Sequence, residues 1–154
     1  MPVLFRALVL LCFVTVAVGT PSELWAEEDD GIHRLVLQIS DNDPHKMMSV
    51  LNVAANVSRH YSGIGEEVEI RIVAFEAGLH LLRTDTAPED VAKRVQGFEM
   101  SMPNVAFVAC GNTIDTMERL EGAKIPIIEH AEIVQTGVVA LIEANEAGWT
   151  IVRP

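Results

Sequence analysis

Three short apolar runs constrain this chain more than anything else in it. Residues 34–40 (Arg-Leu-Val-Leu-Gln-Ile-Ser), 67–75 (Glu-Val-Glu-Ile-Arg-Ile-Val-Ala-Phe) and 105–109 (Val-Ala-Phe-Val-Ala) are too short for helices and rich in β-branched residues. Runs of that kind are strands: the first and third read as largely buried on both faces, the second as alternating at first and then continuously apolar. Each ends in turn chemistry and gives way to a helical pattern. Strand, helix and strand in this order require a right-handed crossover, and therefore a parallel sheet. With 154 residues there is room for one such domain with a real core, not two. The expected fold is α/β, a three-layer α/β/α sandwich around a mainly parallel sheet of about five strands.

The punctuation between the runs is specific. Asp43 is a natural N-cap with Pro44 at the first helical position. Met47, Val50, Leu51, Ala54, Val57 and Tyr61 then recur at helical spacing, and Gly63 and Gly65 end the unit. Glu76, Ala77 and Gly78 form the next turn, leading into a short helical piece over 79–82. A helix starting near Pro88 turns Val91, Val95 and Phe98 inward. The third run leads into a helix over 114–121. Residues 125–128 are ambiguous, because Pro126 disfavours an interior strand. A short strand is expected at 132–135. Thr136 then caps a helix through Glu146, Gly148 ends it, and 149–152 form a closing strand.

Residues 1–26 have the plan of an export signal. Arg6 gives the positive amino-terminal region, residues 7–18 the apolar core, and Ala17-Val-Gly19 a small-x-small site. Cleavage after Gly19 and cleavage after Ala26 both fit. The apolar run is short for a transmembrane helix, so no membrane association is expected once the signal is removed. Residues 27–33 begin with four acids and read as a solvated spacer, with the domain over 34–154. The expected location is the periplasm. A net charge of −11 with no basic stretch argues against nucleic acid as a partner.

Chemistry is concentrated at Cys110. Cys12 lies in the leader, so the exported chain keeps one thiol: a buried bystander, an intermolecular disulfide partner or a reactive group. Cys110 stands at the carboxyl end of a central strand and next to a helix amino terminus, where open α/β sheets place their sites. Helix-terminal N–H groups there favour thiolate over thiol. Gly111 belongs to the same turn. Asn112 and Thr113 are expected to cap the following helix and can also orient a bound group beside the sulfur. Asp41 and Asn42 end the first strand on the same sheet edge. Carboxylates at Asp41 and Asp43 would raise the thiol pKa if they stood close. His80 follows the second strand and could approach Cys110 as a base or cation. No histidine spacing suits a metal, no glycine-rich loop opens a helix for a nucleotide, and no nucleophile elbow is present. No metal or organic cofactor is expected.

Three stretches together resemble the DsrE-like family, in its secreted single-domain branch. They are Ser40-Asp-Asn-Asp-Pro44, Ala109-Cys-Gly-Asn-Thr113 and the ending Gly148-Trp-Thr-Ile-Val-Arg-Pro154. The resemblance spans 34–154. It implies a flavodoxin-like three-layer fold, frequently built into homotrimers or homohexamers. In the family's sulfur-relay members a cysteine after a middle strand carries sulfur as a persulfide to a partner's thiol, and Cys110 matches that position. Gly111, Asn112 and Thr113 differ from the sequence beside the relay cysteine, so donor and acceptor do not carry over. The expectation is sulfur binding or transfer through a Cys110 persulfide. The alternative is a non-catalytic small-ligand or protein-binding module with Cys110 buried.

Overall fold

The computed structural model describes residues 31–154, and the expected leader with most of the acidic spacer lies outside them. Five strands, β1 (Ile32–Ile39), β2 (Glu67–Ala74), β3 (Val105–Cys110), β4 (Glu132–Val134) and β5 (Thr150–Val152), form one sheet. Every pairing is parallel, and the order is β4-β3-β2-β1-β5. Between the strands lie α1 (Pro44–Ile64), a 3₁₀ segment (Glu76–Leu81), α2 (Glu89–Ser101), α3 (Gly111–Glu121) and α4 (Gly137–Glu146). β1 begins two residues ahead of the expected boundary at Arg34, because Ile32 and His33 pair with Glu67 and Val68.

The layers follow from the strand order. From β1 to β4 the chain steps one way across the sheet, so right-handed crossovers put their helices on one face. There Leu37, Ile70, Ile72 and Phe107 meet Met47, Leu51, Val91 and Phe98, with Ile114 and Met117 of α3 against them. The return from β4 to β5 runs the other way and leaves α4 alone on the opposite face. Its Leu141 and Ala144 cover Val36, Val73 and Val108. This is the expected three-layer sandwich. Flavodoxin-type sheets run 2-1-3-4-5, so the likeness is one of layers rather than strand order.

Local chemistry accounts for the element ends that matter to the site. Asp43 Oδ1 accepts the His45 N–H at 2.9 Å, with Pro44 opening α1. Gly65 closes that helix in the left-handed region. Gly78 packs beneath the end of β1, where an added Cβ would run into the Ile39 carbonyl. The ambiguous 125–128 stretch forms an isolated antiparallel bridge, Ile127 to Arg83. Pro126 contributes only its carbonyl there, accepting the Thr84 N–H. No helix among the described residues is long and apolar enough to cross a membrane.

Candidate functional site

Cys110 is the last residue of β3 and the N-cap of α3. Its side chain points to the α4 face of the sheet, and the residue is 5% exposed. Register explains what surrounds it. Cys110 pairs with Val134 of the neighbouring edge strand, so the β4–α4 junction falls beside the thiol. The Gly137 N–H, first of α4, donates to Sγ at 3.2 Å. The sulfur therefore stands at the amino termini of two helices at once.

Burial pushes the Cys110 thiol up. The Thr113 hydroxyl, and the backbone N–H groups of Gly137, Thr113 and Asn112, outweigh it and hold the pKa below the ordinary thiol value. Thr113 Oγ1 already accepts the Glu76 N–H at 3.0 Å, which leaves its own proton for the sulfur. Space is as restricted as charge. A Cβ on Gly137 would lie 3.2 Å from the Cys110 Cβ and 3.3 Å from that of Phe75. One on Gly111 would lie 3.1 Å from the Val134 carbonyl oxygen, so this glycine lets β4 close against the start of α3.

Several sequence expectations are corrected. α3 begins at Gly111, so Asn112 and Thr113 lie within its first turn, and neither is its N-cap. The Asn112 amide instead spans to the next connection, donating to Thr136 Oγ1 at 3.0 Å and accepting from Gln135 Nε2 at 2.7 Å. Its backbone N–H donates to the Gln135 carbonyl at 3.0 Å. Thr136, the expected cap of α4, holds the N-cap position without a side-chain bond to the helix.

Asp41 is turned away from the thiol. It pairs with Lys46 at 3.1 Å and with Arg153, beyond β5, at 3.0 Å. Hydrogen bonds from Lys46 and Arg153 hold its carboxyl below the usual range. β1 is two strands from β3, roughly 10 Å, and neither Asp41 nor Asp43 contributes to the Cys110 shift. Asn42 is exposed in the same β1–α1 connection. His80 does not serve Cys110 either. Its Nδ1 is 2.7 Å from Thr86 Oγ1, and burial, then the Arg83 cation, lower its pKa.

Three participants had little signal in the sequence. Gly137 follows the threonine at the N-cap position of α4, but only the sheet order makes it a neighbour of Cys110. Glu76 adopts φ +49°, a left-handed conformation uncommon for a residue with a Cβ, and its N–H donates to Thr113 Oγ1. Arg83 is 2% exposed and bound to two carboxylates, a pairing hinted at only by an arginine set between leucines and Asp85. Among the described residues no group of three or more His, Cys, Asp or Glu side chains could hold a metal. A groove of about 950 Å³ lies at the opposite sheet edge, lined by Ser58, Arg59, Arg94 and Asn104, away from this chemistry.

Fold and site together define an all-parallel α/β protein with a buried thiol, at the N-cap position of a helix, on the carboxyl edge of its sheet. No family model and no curated protein matches the chain. Among solved structures it is similar to a protein of unknown function, MTH1491 from Methanobacterium thermoautotrophicum. The two are 25% identical with a TM-score of 0.63, over 79% of this chain and 99% of that one.

Proposed function

We propose that this is an exported DsrE-like protein that binds or transfers sulfur through a persulfide on Cys110. The observation that carries the reading is the thiol's place between two helix amino termini, with the Gly137 N–H on Sγ and the Thr113 hydroxyl beside it. Persulfide exchange needs a thiolate, both as nucleophile and as leaving group, and these donors favour it. The Cys110 thiolate attacks the outer sulfur of a persulfide or polysulfide. A bond forms from Sγ to that sulfur while the donor's S–S bond breaks, and the donor leaves as a thiolate with the electron pair. An acceptor thiolate then attacks the same outer sulfur and releases the Cys110 thiolate. The electrons balance without an external oxidant, which would not hold for sulfide alone. Donor and acceptor are a sulfur-bearing thiol and a partner protein's thiol. Homo-oligomeric assembly belongs to the same reading, and sedimentation measures it.

The test is intact mass of the folded protein after polysulfide. The expected result is a gain of about one sulfur atom, roughly 32 Da, reversed by reductant, absent with sulfide alone and absent in Cys110→Ser. No adduct would sink the sulfur reading. A second reading, a non-catalytic binding module, is favoured by the 5% exposure of Cys110. It predicts a thiol that labels only on unfolding.

A further inference from the structure

α3 is tied down by polar contacts at both ends beside a thin apolar contact with the core. None of its residues is fully buried, and Ile114 and Met117 alone pack against the core, each half-buried. The 3₁₀ segment and the residues just after it lie alongside, tied to α3 at both ends. At the Cys110 end the Glu76 N–H donates to Thr113 Oγ1. At the other end Arg83 donates to both Glu121 oxygens at 2.5 and 2.9 Å, and to both Asp85 oxygens at 3.0 and 2.8 Å. Met117 Sδ lies 3.8 Å from Nη1, so every N–H of the guanidinium has an acceptor. Hydrogen bonds from Arg83 hold the carboxyls of Asp85 and Glu121 below their usual range. His80 is the remaining titratable group facing this cluster, and its pKa is lowered.

The arrangement is an odd one for stability alone. A buried cation paired with carboxylates often gains little over apolar packing. Glu121 is moreover the last residue of α3, where the helix dipole disfavours a carboxylate and favours a cation such as Arg83. What a doubly forked guanidinium does supply is geometric definition. Eight residues separate Thr113 from Glu121, about 12 Å of helix rise. A helix of that length transmits an axial slip undiminished from one end to the other.

We infer that Arg83 is a positioning residue, which grips Glu121 to fix the axial register of α3 and so the placement of Thr113 and the first helical N–H groups at Cys110. The inference rests on the thiolate reading of Cys110 given above. It is tested by the pH profile of iodoacetamide labelling in the full chain carrying Cys12→Ser, which leaves Cys110 as the one thiol. The midpoint of the profile is the readout, since a loosened helix also changes access. Glu121→Gln, Asp85→Asn and Arg83→Lys are expected to move the midpoint upward. A shift of half a pKa unit lowers the thiolate fraction about threefold at a pH below the midpoint. Arg83→Lys, which keeps the charge and loses the fork, should shift it least. Lys93→Ala, which breaks the exposed Lys93–Glu89 pair, should leave it in place. Profiles of folded Glu121→Gln and Arg83→Lys that superimpose on the parent's, with lowered thermal midpoints, would make the clamp merely structural and overturn the inference. Should Glu121→Gln fail to fold, Asp85→Asn, altered at a half-exposed carboxylate, decides the matter in the same way. Polysulfide loading is scored separately. Shifted midpoints without any sulfur adduct reject the sulfur reading and leave the clamp standing.

Discussion

Thr113 joins two parts of the molecule with one hydroxyl, which accepts from Glu76 and helps to hold the Cys110 pKa down. Valine at this position keeps the shape and loses both functions. Thr113→Val is expected to raise the Cys110 pKa by about one pH unit, worth about 1.4 kcal/mol between the two protonation states. Thiolate absorbance in the ultraviolet against pH measures it. The lowered pKa also makes the thiol part of the folding equilibrium. Between the folded pKa and the unfolded value, near 8.5, the unfolded chain holds a proton that the folded protein has released. Stability therefore rises with pH through that window, is fully gained above it, and is lost as pH falls through the folded pKa. Denaturant titrations at several pH values should show this slope in the parent and a flat line in Cys110→Ser.

Elements whose ends are decided by local chemistry were legible in the sequence. Asp43 and Pro44 start α1 because capping needs only neighbouring atoms, and the inward residues of α2 are the ones its spacing marks. The site was half legible. Cys110 could be placed at a strand end, whereas Gly137 depends on β4 lying beside β3, a fact of sheet order that no local pattern encodes. Asn112 and Thr113 misled for a related reason: both are good caps, but Cys110 itself occupies the N-cap position of α3. Two glycines separate packing from propensity at this scale. Gly97 lies inside α2 with open space where a methyl group would go, so Gly97→Ala is expected to stabilise by about 1 kcal/mol. Gly78→Ala drives a Cβ into the Ile39 carbonyl and should cost about 3 kcal/mol. Thermal denaturation of the two variants, moving in opposite directions, checks both.

Across the whole molecule, α4 crosses the sheet from the β4 edge to the β5 edge, and β5 pairs with β1. The thiol cage is thus assembled from residues near 76, 110–113 and 135–137, with its last donor supplied by the final connection. Ending the chain at Gln135 removes α4 and β5 and uncovers Val36, Val73 and Val108. Such a truncated chain, which keeps Thr113 but loses the Gly137 N–H, is expected to label at Cys110 with a raised midpoint and to bind hydrophobic dyes. The same geometry sets an order of events during synthesis. Translation delivers Cys110 before Gly137, and the donor on its sulfur forms only once β4 has paired with β3 and set the start of α4 beside the thiol. Until then the chain carries a thiol without its Gly137 donor, so the cage around the sulfur closes with the pairing of β4 on β3 rather than with the making of the cysteine.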